Sequence, residues 1–312
     1  MQISGSSFLV TGGSGFIGSH VVDRLVAEGA DVVVFDKRVR EENLADALPS
    51  GRVRTLEGDV TEPAAVRQAA EGVAGVFHMA VLPLGPCSED PRRCVEVNVD
   101  GTLNVLEAAR EAGAKKVVFS SASSVYGDTN ETMDESHPLG ARTMYGASKI
   151  AGEYFVRAFS DLYGIDHVIL RYMNVYGPGQ RAGVVPAVAR ALLAGDAPSL
   201  TGDGSQAFDF VHIDDCARAN TLALVAGASG AALNVGSGDA ASLNEVVATM
   251  SDLLGVDIEP AHQGQPSTAP PRVGDVAGAR RLIAYEAQVS LREGLASVLD
   301  ELQHSTAVAS GG

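Results

Sequence analysis

The 312-residue chain has no tryptophan, three cysteines and an aromatic content of only 5%. Its three cysteines, Cys87, Cys94 and Cys216, are odd in number and in no metal-ligand spacing. That favours buried or free thiols in a reducing cytosol over a disulfide framework. His78, His212 and the other histidines likewise show no metal spacing, so no metal is expected. No apolar run approaches the roughly 20 residues that span a bilayer, and the N-terminus does not read as a signal peptide. Basic residues are few, 23 against 39 acidic, for a net charge of −16. This argues against nonspecific binding to nucleic acid or to an anionic membrane. It leaves room for an anionic substrate, because a few local arginines suffice to hold one. The expected location is the cytoplasm.

The first half of the chain alternates short apolar runs with amphipathic stretches. Phe8–Val10, Asp31–Phe35, Val53–Leu56, Gly75–His78 and Lys116–Ser120 read as buried parallel strands. Helical spacing of apolar residues fills Phe16–Glu28, Glu62–Glu71 and Cys94–Ala112, and His167–Leu170 adds a later strand. The alternation implies an α/β fold with a doubly wound parallel sheet of the Rossmann kind. After about Arg171, glycine and proline cluster at Gly177-Pro-Gly179, Gly202-Asp-Gly204 and Pro270-Pro271, as expected for a smaller C-terminal substrate-binding lobe. The expected division is 1–173 for the nucleotide domain, with parts of 209–240 as candidates to rejoin it, 174–304 for the lobe, and 305–312 as a flexible tail.

Leu9-Val-Thr-Gly-Gly-Ser-Gly-Phe-Ile-Gly18 follows a predicted strand and opens a predicted helix. Gly12 permits the tight turn, Gly15 lets backbone approach a pyrophosphate, and Gly18 lets helix and strand pack closely. The helix N-terminus then offers amides and the positive end of its dipole to phosphates. Asp36 ends the next strand. A carboxylate there accepts hydrogen bonds from a ribose 2′-hydroxyl and repels a 2′-phosphate, favouring NAD over NADP. Lys37 and Arg38 beside it work in the other direction, since basic residues accommodate that phosphate.

Tyr145 and Lys149 stand four apart in a predicted helix, which puts both side chains on one face about 5–6 Å apart. A phenol holds its proton to a pKa near ~10, so acting as a base at neutral pH requires on the order of 4 kcal/mol of help. One cation about 6 Å away supplies roughly 3 kcal/mol at an effective dielectric near 20. An ammonium together with an oxidised nicotinamide ring would suffice. Taken alone, the pair also reads as an ordinary helix aromatic and a solvated charge.

The order of Thr11–Gly18, Asp36, Asp59-Val60, Asn98-Val-Asp-Gly-Thr102, Val125-Tyr-Gly127 and Tyr145-x-x-x-Lys149 resembles the extended short-chain dehydrogenase/reductases. Within them it looks like the NAD-dependent nucleotide-sugar epimerase/dehydratase family. Arg171-Tyr-Met-Asn-Val-Tyr-Gly-Pro178, Gly202-Asp-Gly204, Asp209-Phe-Val-His-Ile-Asp214 and Pro271-Arg-Val-Gly-Asp275 extend the likeness over nearly the whole chain. The resemblance implies NAD as cofactor. Gly12, Gly15, Phe16, Ile17, Gly18, Asp36 and Lys37 would stand at its near end and Asp59 and Val60 at the adenine. Ala80, Asn98, Tyr145, Lys149 and Tyr172 would lie along the path to the nicotinamide. It implies a UDP-sugar substrate, with Asn174 and Arg272 on the diphosphate and Asp275 beside the nucleoside. It also implies a homodimer packed through the 94–112 and 145–163 helices. Tyr145, as phenolate, would take a proton from a sugar hydroxyl while the same carbon gives a hydride to NAD, with Lys149 lowering the phenol's pKa.

The sequence departs from the family at three places. Dehydratases carry Thr-Asp-Glu before Val-Tyr-Gly, whereas this chain has Ala122-Ser123-Ser124. Without the acid–base pair, loss of water lacks its catalysts. UDP-glucuronate decarboxylases usually place Glu where Ser124 stands. Ala122 replaces the serine or threonine that meets the reacting oxygen in 4-epimerases, which leaves Ser123 and Ser124 as the candidate relay hydroxyls, or as loop residues that bond only backbone. Phe208 replaces a frequent arginine, for which Arg181 is the candidate substitute. The leading expectation is C4 epimerisation of UDP-glucuronate/galacturonate, then of UDP-glucose/galactose. UDP-glucuronate decarboxylation, a dehydratase, a simple sugar dehydrogenase and a non-catalytic NAD(H) sensor are the alternatives.

Overall fold

A computed structural model of the chain describes residues 1–129, 131–266 and 271–310, with side chains through residue 305. Seven parallel strands form its central sheet in the spatial order 231–235, 166–172, 116–122, 75–78, 7–11, 31–36 and 53–57. The strand pairs are all in parallel register, with Phe8 opposite Val32 on one side and Gly75 on the other. Parallel strands covered by helices on both faces must be apolar throughout. Phe8, Leu9 and Val10 accordingly have no exposed surface, and each such side chain contributes roughly 1.5–3 kcal/mol by leaving water.

Two apolar clusters fill the opposite faces of this sheet, one around Phe8, Val10 and Leu170, the other around Leu9, Phe35 and Ile169. Alternate residues of one strand thus feed different layers, the period-two signature of a pleated strand. A third cluster, built on Tyr176, Leu192, Val246, Met250 and Leu295, is the core of the C-terminal lobe. Its helices are Val184–Ala194, Leu243–Leu254 and Leu291–Ser310. The segment between lobe elements returns to the sheet: helix Ile213–Val225 leads into strand Ala231–Val235, which pairs with 166–172.

Three sequence expectations need correction here. Cys87 and Cys94 form a disulfide, with Cα atoms 4.8 Å apart, and Cys216 alone is a buried free thiol. The short helices Leu84–Glu89 and Pro91–Val95 fold back on each other at Asp90, which brings residues seven apart together. The helix expected over Cys94–Ala112 starts earlier, at Pro91, where Asp90 caps it by accepting from the Arg93 amide. A π turn at Glu96–Asp100 then interrupts it before Gly101–Glu111. The stretch expected as a tail from Ser305 is helical as far as Ser310. Gly311 and Gly312, and Pro270 of the proline pair, lie outside the described residues.

Candidate active site

The glycine turn joins strand Ser7–Thr11 to helix Phe16–Ala27. Gly12 has φ +68°, and a Cβ there would sit 2.8 Å from the Ala80 amide nitrogen. Any side chain on Gly18 would collide with the Gly12 carbonyl. Both positions therefore require glycine for the helix to start where it does. Gly15 caps the helix with extended backbone and no side-chain bond, leaving the first-turn amides to face the cleft.

Above this turn opens a cavity of about 710 Å³, lined by Gly12, Gly15, Asp36, Asp59, Ala80 and Lys149 among others. It also takes in Phe16, Ile17, Gly18, Lys37, Val60 and Tyr172. Asp36 is fixed by Ser14, whose amide and hydroxyl donate to the same carboxylate oxygen at 3.2 and 2.9 Å. Its second oxygen has no such bond from Ser14. Lys37 turns away from that position and pairs with Asp59 at 3.5 Å. Asp59 is also ion-paired with Arg93 and accepts from Thr61. Burial opposes ionisation of Asp59, but the Thr61 and Arg93 bonds prevail and hold its carboxyl below the usual range. Around Asp36 the same cavity wall carries Lys37 and Arg93, both paired with Asp59, and Arg40. A cradle of glycines, a helix N-terminus and a carboxylate at the end of the second strand fit a dinucleotide without a 2′-phosphate.

A second cavity of about 460 Å³ adjoins the first and is lined by Asn174, Tyr176, Gln180, Val185 and Phe210 of the lobe. Tyr145 and Gln180 belong to the walls of both. The helix that carries Tyr145 runs Met144–Tyr163, capped by Thr143, whose hydroxyl accepts from the Gly146 amide, and closed by Gly164 in the left-handed conformation. Lys149 is buried and donates to the Ser120 carbonyl at 2.7 Å, with its ammonium nitrogen 5.8 Å from the centre of the Tyr145 ring.

The electrostatics differ from the sequence expectation. Burial raises the Tyr145 phenol to about 12. Burial also lowers Lys149 to about 7, although Glu153 pushes it back up. In the protein by itself, loss of solvation outweighs mutual help between the two groups. Ionising Tyr145 therefore calls for positive charge brought into the cleft.

A testable consequence concerns stability. The unfolded chain keeps the Lys149 proton up to 10.5, whereas the folded nucleotide-free protein releases it above about 7. Between these values the unfolded state binds more protons, so stability rises with pH by up to about 1.4 kcal/mol per unit from this group. Denaturant unfolding of nucleotide-free wild type and Lys149→Met at pH 7 and 9 is expected to show the steeper rise in wild type. Equal slopes would refute the shift.

The remaining expected residues fall into distinct positions. Ala122 ends its strand, and Ser123–Tyr126 form a 3₁₀ turn. The Ser124 hydroxyl is buried without a hydrogen-bond partner among the described residues; Ala122 lines the larger cavity, whereas Ser123 and Ser124 line neither. Arg272 donates to the Gly127 and Ser123 carbonyls at 2.8 and 3.3 Å, bracing the serine turn, and lines neither cavity. Asn174 lines the lobe cavity, its amide 3.4 Å from the Asp209 carbonyl. Asp275 is exposed, accepts from the Ala277 amide and lines neither cavity. Arg181 pairs at 2.8 Å with Glu42 of the nucleotide domain.

Asn98 lies in the π turn, where it accepts from the Leu82 amide at 2.7 Å and donates to Ser148 at 3.0 Å. It thereby ties the loop under the cofactor cavity to the Tyr145 helix. His78, buried between Thr11 and Thr102, is held neutral by burial and then by the Lys149 charge, at about 3. It packs the site and has no proton to exchange at neutral pH.

Sequence reasoning missed the buried ion pair of Glu153 with Arg171. Arg171 donates from Nε at 2.9 Å and from Nη2 at 2.7 Å. Glu153 also accepts from Ser121 at 2.6 Å. The signal was present, since Glu153 is one helical turn beyond Lys149 on the same face.

Comparison with known proteins gives a consistent answer. The model of the NAD-dependent epimerase/dehydratase family matches residues 8–236. A UDP-glucose 4-epimerase of Mycolicibacterium smegmatis is 36% identical over 309 residues, covering 94% of this chain and 97% of the other. UDP-glucuronic acid decarboxylase 6 of Arabidopsis thaliana is 31% identical over 307 residues, covering 94% and 87%. Among solved structures, the UDP-glucuronic acid 4-epimerase of Bacillus cereus in complex with UDP-glucuronic acid and NAD superposes with a TM-score of 0.89. It is 27% identical, with 96% and 99% of the two chains covered.

Proposed function

Since the chain belongs to the NAD-dependent epimerase/dehydratase family, we propose that it is a UDP-sugar 4-epimerase that works through a transient 4-keto sugar. The observation that carries this reading is Tyr145 in the wall common to both cavities, with Lys149 beneath it. NAD, when bound, supplies the acceptor that takes a hydride from C4 and returns it. The chain's own residues do the rest. Gly12, Gly15 and Gly18 hold the dinucleotide close to backbone, and Asp36 receives the adenosine ribose. Tyr145, ionised, removes the proton of the 4-hydroxyl and gives it back to the same oxygen after the keto sugar has turned its other face. Ser124, with its unsatisfied hydroxyl, and Ser123 beside it orient that oxygen once their turn, which follows Ala122 in the cavity wall, shifts toward it. Asn174 and Arg272 receive the diphosphate, and Arg272 has to exchange its loop carbonyls for phosphate oxygens to do so.

The absence of any carboxyl group at Ala122-Ser123-Ser124 supports epimerisation over dehydration, which needs an acid and a base there. UDP-glucuronate/galacturonate is the first substrate pair to test, because two adjacent serines suit a C6 carboxylate, and UDP-glucose/galactose is the second. The decarboxylase among the relatives keeps that activity as the second reading. Purified protein with NAD and a panel of UDP-sugars should yield a product of unchanged mass and inverted C4. A product lighter by one CO₂ would make it a decarboxylase, and accumulating NADH a dehydrogenase.

The proposal extends to assembly and location. Val95, Tyr154, Leu162 and Tyr163 are 39, 61, 72 and 49% exposed on the 91–111 and 144–163 helices. A homodimer through these helices would cover them. Among the described residues no helix is long and apolar enough to cross a membrane. NAD and UDP-sugars as ligands support the cytoplasm, while the Cys87–Cys94 disulfide runs against a reducing compartment.

A further inference from the structure

The segment Gly177–Gly183 leaves the lobe side of the cleft and lines the cofactor cavity with Gln180, Arg181 and Ala182. Its first half is anchored. The Gly179 amide donates to both Glu301 oxygens at 2.9 and 3.0 Å, and His20 Nε2 lies 3.1 Å from the Pro178 carbonyl oxygen. The Arg181 carbonyl is held by Arg190 at 3.0 Å. The Arg181 side chain then crosses to the opposite bank, where it meets Glu42 at 2.8 Å and Asn43 at 3.5 Å. These two residues stand on the 3₁₀ turn Glu41–Leu44, which buried Leu44 fixes to the nucleotide domain. Asn43 in turn donates to the Ser14 carbonyl of the glycine turn at 2.8 Å.

We propose that the Arg181–Glu42 ion pair is a latch over the dinucleotide, joining the lobe to the nucleotide domain across the cofactor cleft so that NAD stays bound from one turnover to the next. The arrangement suits a reaction that returns its hydride within each cycle, because such a cofactor has no need to leave. Arg181 was expected to grip substrate. Its partner on the far bank, its anchored neighbours and its place in the wall of the cofactor cavity assign it to retention instead. The latch rests on the reading that NAD occupies this cleft.

The test is the rate at which isotopically labelled NAD leaves the full-length protein when chased with unlabelled NAD. An exposed ion pair is weak, so Arg181→Gln and Glu42→Gln are each expected to speed release about three- to fivefold. The double variant should be no faster than either single one, and the exchanged pair Glu42→Arg with Arg181→Glu should restore slow release. Raised ionic strength should speed release from wild type and leave the double variant unchanged, since salt screens exposed charges. Both residues lie on the surface, and unaltered thermal midpoints would confirm intact folds. Release that quickens in Arg181→Gln but not in Glu42→Gln would mean that Arg181 holds the cofactor directly, and would overturn the latch. NAD bound with all rates unmoved would also overturn it. Wild-type protein that takes up no NAD would remove the cofactor reading and the latch together.

Discussion

Replacing Tyr145 by phenylalanine is expected to lower turnover by about 10³-fold or more while NAD still binds, within or beyond the range of 10²–10⁴ usual for removing a general base. The substitution deletes one oxygen and keeps the ring in the wall between the two cavities. No other described side chain combines that position with a hydroxyl four residues before a buried lysine. Ser123 and Ser124 are too weakly acidic to replace it, and His78 is locked between two threonines. Titration should bear the same mark. Because burial holds the phenol up, turnover in wild type should rise with pH until the phenol ionises in the ternary complex. Measuring bound NAD and initial rates on the same sample separates chemistry from cofactor loss. Turnover at the wild-type level would remove the catalytic assignment.

Breaking the Glu153–Arg171 pair should have the largest effect on stability. The two side chains are 1 and 2% exposed, so each charge is out of water; Arg171 depends on Glu153, while Glu153 also has the half-exposed Arg157 at 3.6 Å. Burial alone would weaken the arginine's hold on its proton, but Glu153 bonds and charge more than reverse this, and Arg171 is raised above its ordinary value. Arg171 also donates to the Tyr126 hydroxyl at 3.0 Å, which in turn donates to Asn234 at 2.6 Å. The network therefore ties the Tyr145 helix to strand 166–172, to the turn after Ser123 and to edge strand 231–235.

Removing one partner of a buried pair strands the other and typically costs about 3–5 kcal/mol. Arg171→Met and Glu153→Gln should each lose stability on that scale in urea unfolding. Arg171→Met combined with Glu153→Leu should lose less than the sum, because no uncompensated charge remains. Losses below about 1 kcal/mol in both single variants would show that the pair is not the constraint described here.

Much of the fold was legible because its signals are short-range. Apolar runs between glycines marked the first six sheet strands, and the observed strands extend them by only a few residues. The break at Glu96–Asp100 was not legible, since a single wider turn, in which amides meet carbonyls five residues back, has no residue signature of its own. The disulfide was missed because a separation of seven between cysteines says nothing until a hairpin at Asp90 brings them together. Asp275 was placed at the nucleoside by analogy of motif; in the fold its carboxylate accepts from the Ala277 amide and lines neither cavity.

By itself, the sequence determined the glycine turn that opens the first helix, the acid that ends the second strand, and the tyrosine and lysine on one helical face. Each follows from backbone geometry over a few residues, which neighbours in sequence specify. Only the tertiary structure decided the partners of the charged side chains: Arg171 with Glu153, Lys37 with Asp59, Arg181 with Glu42 across 139 positions. An arginine or lysine reaches several possible carboxylates, and which one it meets depends on how the elements pack and on how much water remains around it.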